Sequence, residues 1–418
     1  MEKNVRTILG LAASHVVNDV YSPVLPAILP LLILQNGYSY FLAGLLVTAH
    51  QLTSSFTQPV VGWLYDTNRL TIPIPVAIFF SSFFMAFIGL VTSNYILTMM
   101  FAIGAALGHA FFHPGALGLV SRLAQGEHRA KLTSLFVIGG NLGFAIGPLL
   151  VGLAVSMNGI DGLYVLFIPG FLMIVTLLKV LPKDFTKTGA TGKGDETASA
   201  ANNKKADEAG AVAEGAASGA TPTGRFPYKA VSYLVAGTAF RSWVIYGCIA
   251  YLPTYFTQNG MEYGLANFLT SLMLFFGVAG QFIGADLSDR YGRKEYSIFG
   301  VACAIPPFLL FIFTSGIVSI IALMIFGYFI WTTFSVTVTM SHEMAPKGTG
   351  MVSGLILGFA VGSGGLGVAL TGYIADMTDV LTGISSLIVP MIIALIFFIL
   401  VPYPFKTFRV KKEKENTE

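Results

Sequence analysis

The sequence predicts an all-α membrane protein with twelve transmembrane helices in two six-helix pseudo-repeats. Hydrophobic residues make up 54% of the 418 residues and charged residues only 11%, whereas soluble domains average about 25% charged residues. The apolar residues also form long continuous runs. Such runs indicate helices, because membrane β-strands alternate apolar and polar side chains.

Each apolar run is long enough to cross the hydrocarbon core, which takes about 20 residues. Six runs precede a long polar segment and six follow it, which predicts two helical bundles. The predicted spans are residues 8–34, 40–64, 72–92, 95–121, 132–156 and 163–181, then 230–257, 265–288, 296–314, 317–341, 351–375 and 383–403.

The polar segment that separates the two sets is rich in Ala, Gly, Ser, Thr and charged residues. Such a composition cannot bury enough apolar surface to order itself, so it predicts a flexible cytoplasmic linker. The expected organisation is an N-terminal bundle at 1–182, the linker at 183–227, a C-terminal bundle at 228–403 and a cytoplasmic tail at 404–418.

The basic residues predict the orientation. Of the 24 Lys and Arg residues, all except Arg241 fall on one side of the predicted membrane, and the positive-inside rule makes that side cytoplasmic. We therefore expect a multi-pass protein of the inner (plasma) membrane with both termini in the cytoplasm. The net charge of +3 is too small to indicate a nucleic-acid partner.

A loop motif recurs in the two halves. The first half has GWLYDTNRL at 62–70, and the second has ADLSDRYGRK at 285–294. The second copy resembles the loop signature of the major facilitator superfamily, while Thr67 and Asn68 replace a basic residue and a glycine in the first copy. The candidate gating residues in these loops are Asp66, Arg69, Asp289, Arg290 and Arg293. They could latch helix ends in one state, or only orient the protein at the membrane face.

Further stretches resemble the fosmidomycin-resistance group of bacterial efflux proteins, including SHVVND at 14–19, FFHPGALGLVSRL at 111–123 and GGNLGFAIGPLL at 139–150. The resemblance covers both halves outside the linker. It implies the major facilitator fold, with the substrate near the bilayer midplane. It also implies a proton-coupled antiporter that exports a small anionic or amphiphilic compound, such as a fosmidomycin-like drug or related metabolite, and confers antibiotic resistance.

Ionisable residues lie deep within several spans. Asp19 is roughly 16 Å along the first span at the helical rise per residue, and His15 lies one turn earlier on the same face. Arg241 is equally deep in the seventh span, and His109 and His113 lie on one face of the fourth. The family resemblance places these spans around a central cavity, where charged side chains can face water or each other.

These residue types suggest roles. Arg241 has a permanent charge and a forked geometry that suits carboxylate or phosphonate groups, so it is the main candidate for substrate binding. Asp19 and His15 are the candidates for proton coupling. The other substrate-binding candidates are His113, His109, Asn18 and Trp331. The alternative is a static network in which Asp19 neutralises Arg241.

The fifth span carries small residues at helical spacing. Gly139, Gly143 and Gly147 recur every four residues and are followed by Pro148. Small residues let membrane helices approach closely, and proline weakens the backbone hydrogen bonding. We interpret these four residues as helix-packing positions that favour export over uptake. Similarly, Pro23 and its neighbouring prolines predict a bent or broken first span.

Other function classes find less support. His109 and His113 form an HxxxH pair that could bind a metal in a membrane enzyme, but the glutamate of the metalloprotease motif is missing. A non-transporting sensor would need a folded soluble module, and an ATP-driven pump would need a Walker motif. We expect no cofactor, no resident metal and no enzymatic activity. The expected partners are a small-molecule substrate, protons and the lipid bilayer, and the expected state is a monomer. The alternative within transport is proton-coupled uptake of an organic anion.

Overall fold

The computed structural model describes residues 2–67, 69–124, 129–181, 226–346 and 349–406. Within these ranges the chain is helical and contains no strand. The predicted linker and most of the predicted tail lie outside the described residues, as does Asn68 of the first loop motif. We call residues 2–181 the N-terminal half and residues 226–406 the C-terminal half.

The N-terminal half forms its six spans from seven α-helices and two short 3-10 helices. The α-helices are α1 (Glu2–Val20), α2 (Val24–Asn36), α3 (Tyr40–Asp66), α4 (Ile74–Ala86), α5 (Tyr95–Leu123), α6 (Arg129–Asn158) and α7 (Phe167–Val180), and the 3-10 helices are Ile88–Val91 and Ile160–Leu166.

The C-terminal half repeats the six-span pattern. Its helices are α8 (Tyr228–Gln258), α9 (Tyr263–Tyr291), α10 (Arg293–Phe313), α11 (Gly316–Trp331), α12 (Phe334–Met344), α13 (Thr349–Ser353), α14 (Val361–Met377), α15 (Val380–Ser385) and α16 (Ile388–Leu400), with a π-helix at Gly354–Ala360 joining α13 to α14. The predicted fold class, twelve spans in two pseudo-repeats, is confirmed.

Ten of the described helices are long and apolar enough to cross a membrane. The second and third predicted spans differ from the other ten for separate reasons. Helix α3 is 27 residues long but carries the polar stretch HQLTSSFTQ at 50–58, which lowers its hydropathy. Helix α4 has only 13 residues, and the 3-10 helix Ile88–Val91 completes its span.

Two spans are interrupted near their middle. The first is broken between α1 and α2 at Tyr21–Pro23, as the prolines predict, so Asp19 lies in the last turn of α1. The tenth is broken between α11 and α12 at Thr332 and Thr333. Interrupted helices inside a membrane protein persist where they line a cavity or are buried in protein. Both breaks therefore indicate a functional site in the interior of the bundle.

The two halves contact each other mainly through α3 against α14 and α6 against α9. We call the end of the bundle that carries Arg122 and Arg293 the basic end, and the other the distal end. Thr48 Oγ1 donates to the Gly365 carbonyl oxygen at 2.6 Å, and the Leu149 N–H donates to Ser271 Oγ at 2.8 Å. Both of these bonds lie toward the distal end.

The contact at the distal end includes a helix cap that crosses between the halves. The Asp376 carboxylate, at the end of α14, accepts hydrogen bonds from the backbone N–H groups of Tyr40 and Phe41 at 2.7 and 2.9 Å. Tyr251 Oη donates to the Tyr40 carbonyl oxygen at 2.9 Å. The first N–H groups of a helix lack partners in their own helix. Asp376 therefore adds to the local cap of α3, in which Ser39 Oγ accepts from the Leu42 N–H.

Candidate functional site

The ionisable side chains of the first and fourth spans meet in one cluster, in which His15 and His109 are buried and Asp19 and His113 are partly exposed. Asp19 Oδ2 lies 3.2 Å from His15 Nε2. Asp19 Oδ1 lies 3.5 Å from His113 Nε2 and 4.0 Å from His109 Nδ1. The histidine cluster, meaning Asp19, His15, His109 and His113, thus surrounds one carboxylate with three imidazoles.

Asn18 organises this cluster from within. Its amide donates to Asp19 Oδ1 at 3.0 Å and contacts His109 Nδ1 at 2.8 Å, while its Oδ1 accepts from Ser81 Oγ at 2.9 Å. Both amide hydrogens are used in this arrangement, so His109 Nδ1 is an acceptor. The residue is also fully buried. Asn18 therefore has no free donor for the substrate contact that the sequence suggested.

The His15–Asp19 pair requires a proton. His15 Nδ1 lies 2.7 Å from the carbonyl oxygen of Phe136, which can only accept, so Nδ1 carries a hydrogen. Nε2 then faces the Asp19 carboxylate at 3.2 Å. Two lone pairs cannot make a hydrogen bond, so the pair holds one further proton, either on His15 Nε2 or on the carboxyl group.

A glycine on α6 makes room for this pair. A Cβ at position 140 would overlap His15 Nε2 and lie 2.8 Å from Asp19 Oδ2. Its neighbours Gly139 and Gly143 instead face the backbone of α1, where a Cβ would collide with the carbonyl oxygens of Ala12 and Val16. Sequence analysis singled out the four-residue glycine spacing and missed Gly140. The adjacent pair of glycines was the available signal.

Gly147 and Pro148 continue the face of α6 that carries Gly139 and Gly143. Gly147 lies against the Val20 carbonyl oxygen and the Pro23 ring, so α6 follows α1 down to the helix break. Pro148 lies inside α6, directly before Leu149, whose N–H bonds to Ser271 in the other half. This face of α6 therefore connects the histidine cluster with the contact between the two halves.

Arg241 is the largest fully buried side chain in the described part of the protein and is 0% exposed. None of its three guanidinium nitrogens has a hydrogen-bond partner among the described residues. Its Cζ lies 5.6 Å from the ring centre of Phe334, and no described carboxylate lies within salt-bridge distance of it. The static network, in which Asp19 neutralises Arg241, does not match this arrangement.

Tyr246 connects the two halves of the site. It lies on α8 close to Arg241 and interacts electrostatically with both Arg241 and Asp19. The cation of the C-terminal half and the carboxylate of the N-terminal half thus act on the same interior region.

Trp331 lies at the break in the tenth span and belongs to a row of aromatic side chains. Its ring centre is 6.4 Å from that of Phe334 and 5.9 Å from that of Phe144. Its buried Nε1 has no hydrogen-bond partner among the described residues. The indole N–H is therefore available to an acceptor, as the predicted substrate role requires.

The candidate metal ligands in the structure differ from the HxxxH pair considered in the sequence. The two rings of the HxxxH pair stack with centres 6.1 Å apart, and His109 Nδ1 is occupied by Asn18. His15, Asp19 and His113 instead bring their ligand atoms within 4.8 Å of one another. His50 on α3 faces His109 with ring centres 5.4 Å apart, and its buried Nε2 has no described partner.

The predicted gating residues of the C-terminal half interact with each other at the basic end. Arg293 pairs with Asp289 at 2.5 Å and with Glu343 at 3.1 Å. Arg290 pairs with Asp286 at 3.0 Å, and both of those side chains are exposed. All of these pairs stay within one half of the protein.

The described residues of the first loop motif contact side chains of their own half. Asp66 interacts electrostatically with Arg122, and both line a cavity of about 320 Å³ between α3 and α5. Arg69 lies over the Trp63 ring, 4.8 Å from its centre. The cross-half contacts of Asp376 and Tyr251 lie at the distal end, where sequence analysis proposed no gate.

The chain is similar to known transport proteins in sequence. The family model described as "Major Facilitator Superfamily" matches residues 8–367 and 234–418. The "Fosmidomycin resistance protein" of Escherichia coli (strain K12) is 28% identical over 380 residues, which cover 89% of this chain and 87% of that protein. The "Uncharacterized MFS-type transporter YfnC" of Bacillus subtilis (strain 168) is 26% identical over 376 residues, covering 88% and 86% respectively.

Solved structures show the same fold at low sequence identity. A bacterial homologue of the human lysosomal transporter Spinster, in an inward-facing and occupied conformation, superimposes with a TM-score of 0.74 at 16% identity, covering 94% of this chain and 96% of that one. A point mutant of the nucleoside transporter NupG gives a TM-score of 0.74 at 12% identity, covering 95% and 100%.

Proposed function

This chain belongs to the Major Facilitator Superfamily, and from that membership we propose that it exports a small anionic or amphiphilic compound in exchange for protons. Membership makes it a multi-pass membrane transporter of a small molecule, and not an enzyme. The substrate, the proton coupling and the direction are our proposals. The efflux direction draws on the relative named as a fosmidomycin resistance protein.

The observation that carries the proposal is the unpartnered Arg241. A buried charge without a partner costs several kcal/mol, and intramembrane charges that persist commonly mark substrate pathways. The guanidinium group has donors only, so the missing partner must be an acceptor, and its charge makes an anion the favourable one. We infer that the carboxylate, phosphonate or similar group of the substrate completes this site.

Proton coupling is assigned to His15 and Asp19. The hydrogen bond from His15 Nδ1 to Phe136 fixes the ring, so the proton between Nε2 and the carboxylate is the one that can leave or arrive. The other titratable groups that face this pair are His113 and His109, and beyond them Tyr246. Asp19 is the only carboxylate in the described interior that lies within salt-bridge distance of an imidazole, and His15 is the nearest of its imidazole partners.

We propose that the basic end faces the cytoplasm, with both termini on that side of the plasma membrane. The positive-inside rule supports this orientation, since Arg122 and Arg293 lie at that end. The contacts between the halves described above lie toward the distal end, as in an inward-open state. In the alternating cycle the loops carrying Asp66, Arg69 and Asp289 are our candidates for the basic-end gate, and the domain boundaries stay as predicted. We propose that the protein functions as a monomer in the bilayer.

One observation favours a second candidate, proton-coupled uptake of an organic anion. A proton added to the histidine cluster increases the positive charge near Tyr246. The Tyr246 hydroxyl also interacts electrostatically with Arg241. An anion should then bind more tightly to the protonated protein, as cotransport requires. Exchange requires the opposite, because proton and substrate must exclude each other.

The deciding experiment measures binding and transport on the same purified protein. Fosmidomycin, the compound in the relative's name, serves as the first probe, and small organic anions follow. Proteoliposomes with an imposed proton gradient report the direction of movement, and calorimetry at acidic and neutral pH reports affinity. Movement opposite to the proton flux with weaker binding at acidic pH supports export. Movement with the proton flux and stronger binding at acidic pH supports uptake instead.

The variant Asp19→Asn tests the proton assignment. An amide keeps the shape of the carboxyl group but cannot titrate. Gradient-driven transport should be lost, while substrate binding and substrate–substrate exchange should persist. A variant that still accumulates substrate against a gradient with the normal pH dependence would remove Asp19 from the coupling mechanism.

A further inference from the structure

We propose that the anion held at Arg241 carries a flat aromatic body, which lies against Phe334, Trp331 and Phe144. This inference rests on the anion site proposed above and specifies the chemical class of its substrate. It separates aromatic carboxylates, sulfonates and phosphonates from small hydrophilic anions of equal charge.

The first observation is the aromatic row that begins at Arg241. The guanidinium carbon lies 5.6 Å from the Phe334 ring centre, and the Phe334 and Trp331 rings are nearly parallel, at 28° and 6.4 Å. These two steps place Trp331 within about 12 Å of the cation. Aromatic rings prefer stacked or edge-to-face contacts with other rings, at centre distances of about 4.5–7 Å. A ligand ring can join this row while its anionic group reaches Arg241.

The second observation is the helix break that presents these rings. Trp331 is the last residue of α11 and Phe334 is the first residue of α12. Thr332, between them, donates from Oγ1 to the Gly280 carbonyl oxygen at 2.7 Å, which anchors the break on α9. Both rings are partly exposed, whereas Thr332 and Thr333 are buried. The break therefore leaves its aromatic side chains partly exposed and buries its hydroxyls.

The third observation is the unused donor of Trp331. Its buried indole N–H has no partner among the described residues, although buried polar groups are almost always paired. The matched residue Trp243 does donate, from Nε1 to Thr371 Oγ1 at 2.9 Å. We infer that an acceptor on the ligand body, such as a ring oxygen or nitrogen, completes the Trp331 site.

The aromatic row also spans the two halves. Phe144 projects from α6 of the N-terminal half, and its ring centre lies 5.9 Å from that of Trp331 in the C-terminal half. Phe144 directly follows Gly143, which packs on α1 beside Val16. A ligand that lies against both Phe144 and Trp331 therefore contacts both halves, which is what a transported molecule must do to bias their relative position.

Calorimetry on the full-length protein tests this inference with three probes. They are 2-naphthoate, its saturated analogue decahydro-2-naphthoate, and acetate. We expect 2-naphthoate to bind several-fold more tightly than the saturated analogue and at least tenfold more tightly than acetate. Trp331→Leu and, separately, Phe144→Leu should abolish the preference for the aromatic probe. Trp243→Phe is the control and should change nothing.

The outcomes separate this inference from the proposed function. Equal binding of the two naphthalene-derived probes, unaffected by either leucine variant but lost in Arg241→Gln, overturns the aromatic assignment and leaves the anion site standing. Binding that survives Arg241→Gln, or no binding of any anion, overturns the anion site itself. Thermal unfolding of each variant identifies any that fail to fold. The two leucine variants test the aromatic assignment independently, so the test stands if one of them does not fold.

Discussion

Gly140→Ala should uncouple the buried proton site. The added Cβ would lie 2.8 Å from Asp19 Oδ2 and overlap His15 Nε2, whereas non-bonded carbon contacts are favourable at about 3.5–4.0 Å. One of the two side chains must therefore move by several tenths of an ångström or more. The His15–Asp19 contact is already 3.2 Å long, so this displacement takes it beyond hydrogen-bonding range.

The size of the effect follows from the bond that is lost. A hydrogen bond to a charged group contributes about 1.5–3 kcal/mol, which corresponds to roughly a 10- to 150-fold change in the population of the paired arrangement. We expect gradient-driven transport to fall within this range and its pH profile to shift. Overpacking should also lower the free energy of unfolding by about 1–3 kcal/mol.

Two other glycine substitutions provide matched controls. Gly143→Ala overpacks the same pair of helices against the Val16 carbonyl oxygen without touching the histidine cluster, and a Cβ at Gly118 on α5 would meet nothing within 4 Å. Gly143→Ala should lose stability and keep its pH profile, while Gly118→Ala should change neither. The reasoning is refuted if Gly140→Ala folds and transports with the pH profile of the parent protein.

Three further predictions concern other parts of the molecule. Arg241→Lys should weaken anion binding at least tenfold while the protein stays folded, because the ammonium group keeps the charge and loses the fork; unchanged affinity in calorimetry would remove Arg241 from the site. Asp376→Ala should loosen the distal end, since the N–H groups of Tyr40 and Phe41 lose their carboxylate. Spin labels on α3 and α14 should then report longer distances in the variant, and unchanged distances would contradict a latch. Asp379 caps α15, and hydrogen bonds from the Thr382 hydroxyl and N–H hold the pKa of its carboxyl group below the ordinary value. This stabilisation is present above the unfolded pKa of about 3.9 and disappears as the pH falls through the lower folded value, so thermal stability should drop in acid less steeply in Asp379→Ser, which keeps a cap without a charge.

The sequence predicts the spans well because length and apolar composition are properties of single segments. It also places His15 and Asp19 on one face, since a four-residue spacing fixes their relation within α1. The break in the first span follows from its prolines in the same way. In each of these cases the relevant residues are close together in the chain.

The parts that sequence does not predict depend on how helices are rotated against each other. The choice of three histidines over Arg241 as partners of Asp19 depends on the facing sides of α1, α5 and α8. Gly140 faces the cluster while Gly139, one residue away, faces backbone. The contact of Asp376 with Tyr40 joins residues 336 positions apart. Apolar periodicity carries little rotational information in a membrane helix, because lipid and protein interior are both apolar.

The cross-half cap at Asp376 also bears on the energy of the transport cycle. When the distal end opens, water can take over the N–H groups of Tyr40 and Phe41, so the loss is an exposed helix cap, worth about 0.5–2 kcal/mol. Other contacts between the halves add to this closure, including the Thr48–Gly365 and Leu149–Ser271 hydrogen bonds. The contribution of the cap alone is small enough for the differential binding energy of one bound anion or one proton to offset it.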